Sequence, residues 1–170
     1  MASLVLIAAT ALAAPEAQLM DRIVSVVGSD VVTASDLAFE EDLSARLQSP
    51  LVVFRGPDAL ARLEDYRILR RLAGNVELFM PDPVAVEQRL RDVAATFEQR
   101  SLYAAFLRGW GLDGHALREE LAMRMVCERY VQRNIGLRLP DTEDATWLQA
   151  YQSFMEPLRK QVGVRRVSAW

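Results

Sequence analysis

Covalent or metal chemistry needs nucleophiles, bases or ligands gathered in one place, and this chain of 170 residues supplies few of them. His115 is its only histidine and Cys127 its only cysteine. One histidine rules out zinc sites built on two of them, the HExxH helix included. His115 and Cys127 are separated by more than three turns of one predicted helix, too far for a thiolate–imidazole dyad. Cys127 is therefore expected to pack as a small apolar side chain, and with no second cysteine it forms no intramolecular disulfide. His115 reads as a polar residue at a helix start. Glu40-Glu41-Asp42 and Glu119-Glu120 gather carboxylates, but neighbouring carboxylates on a helix point apart. Both groups are expected on a solvated surface rather than around a cation. Gly28 and the Gly109/Gly111 pair belong to no GxGxxG pattern, and a P-loop lysine is missing, so no cofactor is expected.

The aromatic residues carry more information. Phe97, Tyr103, Phe106 and Trp110 fall close together, and Trp147, Tyr151 and Phe154 recur at spacings of four and three, which puts them on one helix face. Two readings follow. The rings pack a core, or part of this surface lines an apolar cleft for extended polypeptide, since large exposed apolar patches mark binding sites. The candidate client-binding residues are Tyr103, Phe106, Trp110, Trp147, Tyr151 and Phe154, in a cleft between the longest helix and the aromatic segment.

The elements that must position these rings are mostly helical. Ile23, Val24, Val26 and Val27, then Val31 and Val32, flank the turn-forming Gly28-Ser29-Asp30, which predicts a β-hairpin. A lone hairpin is marginal in water, so a third strand is expected from the far end, where Val162, Val164 and Val167 interrupt basic residues. Thr33 or Ser35 caps a first helix with Leu37, Leu43 and Leu47 on one stripe. The apolar run between Pro50 and Gly56-Pro57 reads as a short strand or a packed linker. Pro57 then suits the first turn of a second helix carrying Leu60, Leu63, Ile68, Leu69 and Leu72 and ended by Gly74. A third helix opens with Asp82 and Pro83 and buries Val86, Leu90, Val93 and Phe97, with Gln88, Arg89, Arg91 and Asp92 turned to solvent. Ser101 caps a short fourth helix.

Asp113 opens the longest helix, whose stripe of Leu117, Leu121, Met125, Val131 and Ile135 is widened by Met123, Val126 and Tyr130 and should be covered on two sides. A last helix follows Pro140, with Pro157 kinking or dividing it, and leads to the strand. The fold class is mostly α with a small antiparallel sheet formed by the N-terminal hairpin and the C-terminal strand.

Composition agrees with one globular domain: 51% hydrophobic and 25% charged residues, with a net charge of −3. All but one of the 20 basic residues are arginine, Lys160 being the exception, and the totals call for no nucleic-acid partner. Residues 1–14, MASLVLIAATALAA, have the apolar core and small Ala11 and Ala13 of a secretory signal, without a basic start. Cleavage after Ala13 is expected, leaving 14–170 as a single domain. The run is too short to span a bilayer, which takes roughly 20 apolar residues.

In this order the segments resemble the chaperone module of SurA-like periplasmic proteins. DRIVSVVGSDVVTASDL is similar to the start of the mature family members, a strand, a turn, a second strand and a helix opened by Ser-Asp. ALARLEDYRILRRLAGNVELFMPDPVAVEQRLRDVAATF, then FLRGWGLDGHALREELAMRMVCERYV, and finally EPLRKQVGVRRV resemble the family's later helices and closing strand. The resemblance implies a periplasmic, ATP-independent chaperone that holds unfolded or extended segments of envelope and outer-membrane proteins. It also exposes a departure. The family's parvulin-type prolyl isomerase domain, roughly 90 to 100 residues, would sit where this chain has only LRLPDTEDATWLQAYQSFM. A parvulin site typically draws on two histidines, so no enzymatic activity is expected. The alternatives are a non-catalytic subunit of an envelope complex and, further off, a residual prolyl isomerase.

Overall fold

A computed structural model describes residues 21–47, 58–136 and 144–167. Two of the sequence expectations, the secretory signal at 1–13 and the apolar run after Pro50, lie outside these residues. The described elements are β1 (Ile23–Val27), β2 (Asp30–Thr33), α1 (Ala34–Arg46), α2 (Ala59–Ala73), α3 (Pro83–Ala95), α4 (Arg100–Gly109), α5 (Gly114–Asn134), α6 (Asp144–Val162) and β3 (Val164–Arg166). A single 3-10 turn, Glu77–Phe79, links α2 to α3. The protein is thus mostly helical with one small antiparallel sheet, as expected.

The sheet has the order β2-β1-β3, so the first strand is central. Val26 faces Val31 on one side and Arg165 on the other. Two glycines make this possible. Gly28 turns the hairpin at φ 61°, Gly163 turns α6 into β3 at φ 78°, and the Gly28 amide donates to the Gly163 carbonyl at 2.9 Å. Ser25 and Val27 point inward, and Val27 and Val32 are fully buried, each worth about 1.5–3 kcal/mol of transfer energy.

Helix starts follow the local chemistry. Thr33 caps α1 in a reciprocal box with Asp36, and Asp58, Asp82 and Asp113 cap α2, α3 and α5 through backbone amides two or three residues on. Three boundaries differ from the expectation. α2 starts after Asp58 rather than at Pro57, because the aspartate supplies the acceptor. Ser101 lies inside α4, whose cap position is Gln99 with no side-chain bond. Phe97 lies beyond the end of α3. Pro157 sits within a continuous α6.

α2 is the hub: it packs against β1, α1, α5 and α6. α5 is covered at both ends by different partners. Its first half places Leu117 and Leu121 with Leu43, Val93 and Phe106, and its second half places Cys127, Val131 and Ile135 with Val27, Ile68, Leu69 and Tyr151. Between the two cores stands a charge, Arg124, 3% exposed.

Candidate functional site

The six aromatic candidates divide between the two cores. Tyr103, Phe106 and Trp110, all from α4 and its end, pack with Phe39, Leu43 and Phe97; the Phe97 ring lies 5.5 Å from Tyr103 and 5.3 Å from Phe106. Trp147, Tyr151 and Phe154 project from α6 into the core beside the sheet, where Trp147 stacks on Tyr151 at 6.0 Å and Phe154 meets Tyr130 at 6.1 Å. The structure therefore brings each trio together but not the two trios around one cleft. Phe106 and Tyr151 are buried, the packing alternative of the two, and the other four are partly buried. Trp110 borders an open groove and donates its indole N–H to Asp42 at 3.1 Å.

The acidic groups expected on a solvated surface divide: Glu41 and Glu119 are exposed as expected, while Glu40 and Glu120 are a correction. Glu40 is 1% exposed and accepts from Arg124 Nη2 at 2.6 Å, while Glu120 accepts from Arg124 Nε at 2.9 Å and from the Tyr66 hydroxyl at 3.1 Å. The physical reason is geometric: Arg124 sits on the buried stripe of α5, and a buried guanidinium requires carboxylates. Burial alone pulls Arg124 toward neutrality, and Glu40 and Glu120 more than reverse it, so the guanidinium stays charged. Tyr66 is pushed well above the usual phenol range, first by burial and then by Glu120. Arg89, expected to face solvent, instead makes a two-pronged bond to Glu128 at 3.2 and 3.3 Å.

Two further buried acids on α2 hold the C-terminal segment. Glu64 accepts from Ser25 of β1 at 2.7 Å and from Arg166 of β3 at 2.8 Å. Asp65 accepts from the Tyr151 hydroxyl at 3.0 Å and from Arg159 at 2.7 and 2.6 Å. These pairs fasten both strands and α6 onto the hub helix. Neither acid stands out among the sequence candidates, although both interrupt the apolar rows Leu60/Ile68 and Ala61/Leu69 at the helical repeat.

What the surface offers is a groove with three adjoining parts that share Arg70. The first, about 480 Å³, has an apolar floor of Phe39, Leu112, Ala116, Met123 and Val126, with Met80 at one edge and Glu119 and Glu120 along a wall. The second, about 370 Å³, continues over Phe39 and Leu112 toward Trp110 and Asp36. The third, about 480 Å³, is bounded by Arg67, Arg70, Arg71 and Asp30. α1, α2 and α5 supply most of the walls. Sequence spacing missed this groove because its floor is assembled from residues at the margins of three apolar stripes.

Reactive chemistry is sparse around it. Cys127 is fully buried, and burial pushes its thiol up to about 12, so it is no nucleophile at neutral pH. His115 is exposed and lies 3.4 Å from Glu119. Among the described residues, no group of three or more His, Cys, Asp or Glu side chains is placed to hold a metal ion, and no helix is long and apolar enough to cross a membrane. No protein-family model matches the chain, and no curated protein is significantly similar to it.

Proposed function

We propose that this chain is a periplasmic, ATP-independent chaperone-like domain of the SurA type that binds unfolded or extended segments of envelope proteins and does no covalent chemistry. The observation that carries the reading is the open apolar groove over Phe39, Leu112 and Met123, whose volume suits a few side chains of a passing chain. Methionines at 123 and 80 favour variable clients, because unbranched thioethers adapt to different side-chain shapes. The order of hairpin, helices and closing strand supports the same reading through its resemblance to the SurA module. Export rests on the sequence of residues 1–13.

The test is aggregation of chemically unfolded outer-membrane proteins, followed by light scattering. The wild type is expected to suppress it at near-stoichiometric amounts for several clients, and Met123→Gln, which keeps the side-chain length where Met123 packs against the core, to lose much of that effect while still unfolding cooperatively. No suppression for any client would overturn the proposal. One observation favours a second reading as a fixed subunit: Val76, Leu78, Met80 and Val84, 37 to 71% exposed, cluster around the α2–α3 connection. Such a subunit would co-purify with one stoichiometric partner and leave aggregation unchanged.

A further inference from the structure

The charged residues of the groove are mainly acids along its first part and arginines at its far end. Its third part presents three guanidiniums, Arg67, Arg70 and Arg71, against one carboxylate, Asp30. Arg67 contacts Asp36 at 3.3 Å but leaves its buried Nε without an acceptor. Arg71 donates to the neutral Ser29 hydroxyl at 3.0 Å. Arg70 makes no ion pair among the described residues, and it alone borders all three parts of the groove. Cations in the last turn of α2 do complement the helix dipole. That role explains the charge of Arg70 and Arg71; it does not explain an inward-turned Arg67 Nε lacking an acceptor, or why all three side chains border a recess continuous with an apolar floor.

Building on the chaperone reading above, we propose that the groove captures the C-terminal end of an extended polypeptide, with its terminal carboxylate on Arg70 and an apolar last side chain over Phe39, Leu112 and Met123. A guanidinium pairs with a carboxylate through two parallel N–H bonds, which fixes the orientation of the end as well as its place. A chain terminus puts its charge next to its own last side chain, which matches an arginine bordering both the basic recess and the apolar floor. An internal Asp or Glu fits less well: its carboxylate sits at the tip of its own side chain, so it cannot bind Arg70 and also lay that residue's side chain on the apolar floor, and the backbone must continue past the basic recess. The exposed Glu119 carboxylate is an acceptor for peptide N–H groups, for which an alkyl chain has no donors, so a peptide acid suits the groove better than a fatty acid.

The experiment is fluorescence anisotropy with a labelled apolar hexapeptide ending in leucine, in four forms: free acid, C-terminal amide, the acid extended by three Gly-Ser residues, and an amide carrying an internal glutamate. Decanoate serves as competitor. The free acid is expected to bind at least tenfold more tightly than the other three forms. Arg70→Gln is expected to erase the difference between acid and amide, and Arg70→Lys to keep part of it, both with unchanged melting temperature. Equal binding of acid and amide, preference for the internal glutamate, or displacement by decanoate at the peptide's own concentration would each overturn the proposal. If no peptide binds while aggregation is still suppressed, C-terminal capture fails and the chaperone reading stands; if both measurements are negative, both fail.

Discussion

Replacing Arg159 by leucine probes the clamp that holds α6 on α2. Asp65 is 1% exposed, and its oxygens take three donors, two of them from Arg159 at 2.7 and 2.6 Å and the third from the Tyr151 hydroxyl at 3.0 Å. Arg159→Leu leaves the carboxylate with Tyr151 alone. Stranding a buried charge in this way costs about 3–5 kcal/mol. The Arg159 side chain is 29% exposed, so water screens part of the pair and the lower figure is expected. Asp65→Leu is milder. Its guanidinium keeps Gln152 at 3.0 Å and access to water, and the main loss is the stranded Tyr151 hydroxyl, about 1–3 kcal/mol. In the double variant no charge is stranded, so it should be more stable than Arg159→Leu alone. Urea unfolding reads this directly: with a slope of about 2 kcal/mol per molar, a loss of 3 kcal/mol lowers the midpoint by about 1.5 M. An Arg159→Leu midpoint equal to the wild type's, or a double variant weaker than both singles, would refute the account of α6 docking.

Other expectations are simpler to check. Cys127 should stay unlabelled by a thiol reagent at pH 8 in the native protein and react once urea unfolds it. Its folded thiol lies near 12 against an ordinary 9.0, so above pH 9 the unfolded chain releases a proton that the native one retains. Stability is therefore complete below 9 and falls at up to about 1.4 kcal/mol per pH unit above it. Between pH 9 and 10 the buried Tyr66 and Tyr151 begin to add to this slope, and Cys127→Ala should flatten it by removing the thiol's share; identical slopes would contradict the burial argument. Thr33→Ala removes the acceptor for the Asp36 amide at 3.2 Å and should cost about 1 kcal/mol in urea unfolding; an unchanged urea midpoint would contradict the capping role.

Local chemistry was readable from the sequence, and long-range pairing of charges was not. Thr33, Asp82 and Asp113 sit at the helix starts expected of them, because a cap depends on three or four consecutive residues. The hairpin with its third strand was also readable, since β-branched runs and Gly28 leave few other conformations. Charged core residues escaped because glutamate and arginine were taken as exposed. Yet Leu117, Leu121, Arg124, Glu128, Val131 and Ile135 follow one another at spacings of four and three, so a charged pair occupies the middle of an apolar stripe. Glu40, three residues before Leu43 and three after Leu37, carries the same signal. The groove around Arg70 left no such mark: α1, α2 and α5 each contribute a few side chains to it, and only their packing makes a surface of them.

The middle strand of the sheet is made first and completed last. Ser25 meets its neighbour Arg165 across 140 positions of chain, which a ribosome translates in roughly 7 to 28 s at about 5–20 residues per second. Throughout that interval one flank of β1 offers free amides and carbonyls to any extended segment nearby, the tail of another copy included. Crowded synthesis should accordingly yield dimers that have exchanged their last helix and strand, each tail completing the other molecule's sheet.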